Sequence, residues 1–138
     1  MSQSAYIVWN SSLSVGVKAM DDQHQIMIEI INHLYNAILS GNSERELRKI
    51  IDQMVDYTRF HFSSEETMLN NHKYPEYHKQ KLEHSLFNQK VIHFQDQVRK
   101  GNIILSTEVL TFLKDWWTGH IRGLDQKYSQ FLNSKGET

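Results

Sequence analysis

The 138-residue chain has no cysteine. That excludes disulfides and thiolate metal sites, so any bound metal must be held by nitrogen and oxygen. It has one proline, six glycines and no low-complexity run, so little interrupts long helices. No apolar stretch is long enough to cross a bilayer. The N-terminus lacks a charged region followed by an apolar one, so the reading is a cytoplasmic protein without export signal or membrane partner. The formal net charge is −1 with Lys and Arg spread along the chain, which gives no footprint for nucleic acid. The length suits one domain with its own core. What the chain holds in excess is histidine, with eight.

Apolar residues recur at three and four positions through four segments, the signature of amphipathic helices. The first helix is expected from Asp21, with a stripe of His24, Met27/Ile28, Ile31, Leu34/Tyr35 and Ile38, ending at Ser40-Gly41-Asn42. The second starts at Ser43, with Glu46 as its capping-box partner, and runs to Asn70-Asn71. The third follows Tyr74-Pro75 and presents Tyr77, Gln80/Lys81, His84, Phe87, Val91, Phe94 and Val98, stopping at Lys100-Gly101-Asn102. The fourth begins at Ser106 or Thr107 and presents Leu113, Trp116/Trp117, His120, Leu124, Tyr128 and Phe131/Leu132. Four such helices with short loops predict an all-α, antiparallel up-down-up-down bundle over residues 21–132. Residues 1–20 form an extended arm that lays Trp9 and Leu13 on the bundle, and residues 133–138 form a frayed polar tail.

His61 and Glu65 interrupt the second stripe four residues apart, on one face. The pair has two readings: a buried hydrogen bond, or metal ligands that offset the cost of an inward carboxylate. Sorting all eight histidines adds weight. His24, His61, His84 and His120 fall on inward stripes, one per helix, at depths an antiparallel bundle can bring level. His33 and His93 lie on opposite faces, His72 in a connection, and His78 roughly 120° from His84. Glu65 and Asp125 accompany the inward four, but Asp125 is five residues past His120, about 140° round on an ideal helix, and needs a local distortion or long reach. Imidazoles with carboxylates suit a transition metal rather than Ca or Mg, and bridging carboxylates suit two metals. Ligand type alone leaves iron, zinc and manganese open.

Trp9, Leu13-Ser-Val-Gly-Val, Met20-Asp-Asp-Gln-His24, His61-Phe-Ser-Ser-Glu65-Glu-Thr-Met, Tyr74-Pro, His84-Ser-Leu-Phe87 and Trp116-Trp-Thr-Gly-His120-Ile-Arg-Gly-Leu-Asp125 together resemble the bacterial hemerythrins, in order and spacing over nearly the whole chain. The resemblance implies a non-haem di-iron centre, oxo- or hydroxo-bridged, that binds dioxygen reversibly. By position, His24 and His61 would ligate the dioxygen-binding iron, His84 and His120 the other, with Glu65 and Asp125 bridging. The family's His-x-x-x-His on the third helix has Gln80 as its first member here. Gln80 is thus expected as a weak ligand or as a vacant position. Phe62, Trp116, Trp117 and Ile121 are expected to line the dioxygen pocket and exclude water, with Trp117 standing where the family commonly has Leu.

The function expected is an oxygen carrier or store, or an oxygen or redox sensor acting through a fused or separate signalling module. Azide or nitric oxide would be further small ligands. The alternative is a di-iron oxidase, peroxidase or nitric-oxide-handling enzyme. It is disfavoured because spacing shows no spare inward acid–base group, tyrosine included. A third reading, an interaction domain, requires apolar outer faces, and these read as polar.

Overall fold

The computed structural model of the chain describes residues 5–101 and 106–138; Asn102, expected at the end of the third helix, lies outside them. Helices α1 (Lys18–Leu39), α2 (Glu44–Asn71), α3 (Tyr77–Arg99) and α4 (Ser106–His120) follow one another. A π-helical turn, Ile121–Asp125, joins α4 without a break to α5 (Gln126–Ser134), so that α4 and α5 form one rod. The four rods make the expected all-α up-down-up-down bundle.

Local chemistry sets these limits. Ser43 caps α2, its hydroxyl accepting from Glu46 N–H at 3.3 Å, as the capping-box spacing predicts. At the other end of α2, Lys73 takes a left-handed φ of 54° and Tyr74 N–H reaches back to the Leu69 carbonyl at 2.9 Å. Helix α1 begins three residues before the expected Asp21, because Val17 accepts the first helical bonds. Asp21 then sits in the first turn, where its carboxylate accepts from Val15 N–H at 2.8 Å and Ser14 O–H at 2.6 Å. These bonds fix the arm. Leu13, Val15 and Val17 alternate inward and are fully buried, with Gly16 between them at φ 68°.

The arm reaches further along the bundle. Ile7 exchanges two hydrogen bonds with the Asn32 side chain, at 2.8 and 2.9 Å. Gln126 donates to the Ser14 carbonyl at 2.6 Å, tying the arm to the fourth rod. The tail is better ordered than expected: α5 continues to Ser134, and Glu137 meets both the Leu132 carbonyl and His72.

Apolar stripes close the interior, each buried aliphatic or aromatic side chain contributing roughly 1.5–3 kcal/mol. Met27, Ile31 and Leu34 of α1 meet Met54, Phe62 and Leu69 of α2, Phe87 and Val91 of α3, and Leu113, Trp117 and Leu132 of the fourth rod. This apolar interior carries the cost of one polar cluster lodged inside it. The outer faces are less polar than read from sequence, since Phe60, Leu82 and Leu86 are exposed.

Candidate metal centre

His24 lies in the second turn of α1, His61 and Glu65 in the second half of α2, and His84 in the first half of α3. His120 closes α4 and Asp125 closes the π turn. Antiparallel packing brings these positions to one level. His24, His61, Glu65 and Asp125 are 0 % exposed, His84 1 % and His120 7 %. Two ligand-type trios share one carboxylate: His24, His61 and Glu65; and Glu65, His84 and His120. Asp125 spans the same gap, 3.3 Å from His24 Nε2 through Oδ2 and 3.3 Å from His120 Nε2 through Oδ1.

The local distortion that Asp125 needs is the π turn. Its i→i+5 bonding brings residues five apart to nearly the same side, so His120 and Asp125 face inward together. The same turn corrects one expectation. Leu124, four past His120 and read as inward, is only half-buried and lines an outer groove, while Ile121 and Asp125 take the interior.

The inner atoms of the cluster are near one another yet not aligned as hydrogen bonds. Glu65 Oε2 is 3.4 Å from His24 Nε2 and 3.5 Å from His61 Nε2, and Glu65 Oε1 is 3.1 Å from His84 Nε2. The Nε2 atoms of all four histidines, Glu65 Oε1, Asp125 Oδ2 and Gln80 Oε1 are buried without a hydrogen-bond partner. Buried polar atoms are nearly always satisfied, and leaving one bare costs about 1–3 kcal/mol. So many in one place, all lone-pair donors of metal-ligand type, fit a cation pair and do not fit ordinary core packing.

Surrounding side chains aim these donors. His61 Nδ1–H donates to Gln23 Oε1 at 2.7 Å, and the Gln23 amide nitrogen donates in turn to the Ser64 hydroxyl at 3.1 Å. His84 Nδ1–H donates to Glu66 Oε2 at 2.8 Å. In both rings Nε2 is thereby left to face the centre. Tyr128 O–H donates to Glu65 Oε2 at 2.8 Å, correcting the expectation that no inward tyrosine stands near the cluster. Gln80 is buried and its amide nitrogen donates to Asp125 Oδ1 at 3.0 Å. His33, His78 and His93 are exposed and His72 half-buried, so none joins the site.

The charges are strongly coupled. Burial works against a charged His24, but Asp125 and Glu65 outweigh it and push the ring up to about 9. His84 likewise overcomes burial through Glu65 and Glu66 and rises to about 9. His61, where burial dominates, falls to about 4. Glu65 is held well below the usual carboxylate range: burial opposes this, and His61, His24 and His84 together prevail. Asp125 is also lowered, against burial and the Glu65 charge, by His120 and His24.

Aromatic rings wall the centre. Phe62 stacks on His84 at 3.8 Å, Trp116 on His120 at 4.3 Å, and Trp117 lies 5.8 Å from His61 and 5.5 Å from Phe62. Phe62, Trp117 and Ile121 are buried, Trp116 half-buried. Of the expected pocket residues, Trp117 lies on the His61 side and Trp116 on the His120 side.

The Hemerythrin HHE cation binding domain model matches residues 15–132 of the chain. The chain belongs to the hemerythrin family. Within that family it is 36 % identical to a bacteriohemerythrin of Stenotrophomonas maltophilia over 125 residues, covering 91 % of this chain and 80 % of that one. It is 31 % identical to the myohemerythrin of Sipunculus nudus over 121 residues, 88 % of this chain and 89 % of that one. The crystal structure of a wild-type hemerythrin superposes with a TM-score of 0.85 at 28 % identity, covering 91 % of this chain and 97 % of the other. Hemerythrin membership makes this an oxygen-binding protein rather than an enzyme, with a non-haem metal site in a helical bundle. No described helix is long and apolar enough to cross a membrane.

Proposed function

We propose that this hemerythrin-family chain binds dioxygen at a non-haem di-iron centre. His24 and His61 would hold the dioxygen-binding iron, His84 and His120 the second, with Glu65 and Asp125 bridging. The observation that carries the reading is the set of orphaned, fully buried Nε2 and carboxylate oxygen atoms meeting at one depth. When bound, the metal pair supplies the electrons that reversible dioxygen binding requires. The chain's own residues orient, shield and tune. Gln23 and Glu66 hold His61 and His84 in the tautomer that offers Nε2, and Tyr128 holds Glu65. Phe62, Trp117 and Ile121 are buried and exclude water from the centre, with Trp117 beside His61 and Phe62 stacked on His84.

Gln80 gives this chain a particular character. Its amide nitrogen engages Asp125, which leaves its buried oxygen as a weak donor toward the second metal. With two imidazoles there in place of three, the second position is more open to small ligands such as azide or nitric oxide. That favours a sensor over a carrier, since a carrier needs slow autoxidation. A fused or separate signalling module would supply the output, in the cytoplasm.

The test is optical. The iron-loaded, reduced protein should gain a visible absorption band on exposure to air and lose it on deoxygenation. A band that forms once and decays irreversibly would point to sensing or turnover and exclude a carrier. Absence of any band, with zinc found on metal analysis, would refute the oxygen-binding centre.

A further inference from the structure

One groove in the surface touches the candidate metal centre. It encloses about 380 Å³ between α3 and the fourth rod, with His120 among its lining residues. His120 is also the most exposed of the six proposed ligands, at 7 %, against 1 % or less for the others. The groove is open because two of its wall positions carry no side chain. A Cβ built on Gly119 or on Gly123 would meet nothing within 4 Å. Trp116 and Leu124 form apolar walls, and the carboxylates of Glu83 and Asp115 face the same space as the single ammonium of Lys127.

Two independent features therefore coincide: an acidic approach, and a nine-tenths buried imidazole whose Nε2 has no hydrogen-bond partner. A cleft with net negative charge raises the local concentration of cations and speeds their arrival. The opposite side of the centre is closed by Trp117, which is 0 % exposed and packed on His61, Phe62 and Phe87.

We propose that this glycine-walled groove is the port through which divalent metal ions reach and leave the centre, with His120 as the first ligand met. The proposal rests on the metal reading given above. A path past His120 requires only that its ring swing from its stack on Trp116, which is itself half-buried. A path past any of the other five requires opening the core.

The experiment uses the full chain stripped of metal and mixed with cobalt(II), following d–d absorption during loading and its loss to excess chelator. Gly119→Leu and Gly123→Leu place apolar bulk in the groove from positions where an added Cβ meets nothing within 4 Å. Both rate constants should fall by the same factor in these variants, leaving equilibrium affinity unchanged. Unchanged rates in variants that retain wild-type helicity and affinity would overturn the port. Glu83→Gln with Asp115→Asn leaves the shape intact. It should slow loading at low salt on the order of tenfold, and the difference should vanish at high salt. A loading rate equal to wild type at low salt would also overturn it. A wild-type chain that takes up no cobalt would refute the metal reading itself, a result distinct from either rate outcome.

Discussion

Tyr128 offers the sharpest test of how the bundle holds its carboxylates. The side chain is fully buried, and its hydroxyl donates to Glu65 Oε2 at 2.8 Å. Burial, then the negative charges of Glu65 and Asp125, push its ionisation well above the usual tyrosine value, so it stays a donor at any working pH. Tyr128→Phe removes that donor and keeps the ring that meets Tyr74 edge-on at 6.4 Å. A hydrogen bond to a buried charge contributes about 1.5–3 kcal/mol. Glu65 Oε2 retains His24 at 3.4 Å and His61 at 3.5 Å, so the lower end applies. The metal-free variant should lose about 1.5 kcal/mol, a fall in thermal midpoint on the order of 5 °C. Because Tyr128 also orients a proposed bridging ligand, metal affinity should fall roughly ten- to a hundredfold. Urea unfolding of the chelated protein reads the first effect and chelator competition the second. A variant as stable as wild type, with the same affinity, would refute the claim that this hydroxyl positions Glu65.

Three further outcomes are expected. Gln80→His should supply the imidazole that the third helix lacks and slow autoxidation of the reduced protein; equal autoxidation rates and azide stoichiometry would argue against an open second position. Trp117→Leu should cost about 2 kcal/mol in core packing and speed azide binding in stopped-flow mixing, because it removes the indole beside His61. Equal rates would make Trp117 core bulk and no shield. The metal-free protein should be most stable near pH 6.5. His24 and His84 have folded values of about 9, above the unfolded 6.5, so their contribution is complete below pH 6.5 and is lost as pH rises through 9. His61 has a folded value of about 4, so stability also falls as pH drops from 6.5 through 4. Melting curves of the chelated protein across this range check both limbs, and a midpoint flat between pH 6.5 and 9 would contradict the first.

The bundle and four of its inward histidines were legible because both follow from regular periodicity. Ser43 with Glu46, and the alternation of Leu13, Val15 and Val17, were readable for the same reason. Leu124 was misplaced, and Asp125 was expected inward only with a local distortion or long reach, because a count at ideal helix spacing carries no mark of one extra residue in a turn. Gln23 and Glu66 escaped for another reason. Each neighbours a stripe residue in sequence and so reads as surface, yet its long side chain folds back onto a ring nitrogen. Tyr128 was legible as core but not as a donor, since an inward tyrosine on an apolar stripe looks the same in either role. The exposed Phe60, Leu82 and Leu86 show that the converse also fails, as apolar residues need not be inside.

The π turn bears on which changes of length the fourth rod tolerates. From Leu113 to Leu132 the chain advances about 1900° at ideal spacing, which overshoots five full circles by about 100°. Both side chains are nevertheless fully enclosed, because the wide turn absorbs that excess. Losing a single residue between Ile121 and Leu124 would leave about 1800°, which an ordinary α-helical turn accommodates with Asp125, Tyr128 and Leu132 still inward, whereas gaining one would swing all three outward together. In this stretch the rod can shorten by one residue but cannot lengthen by one.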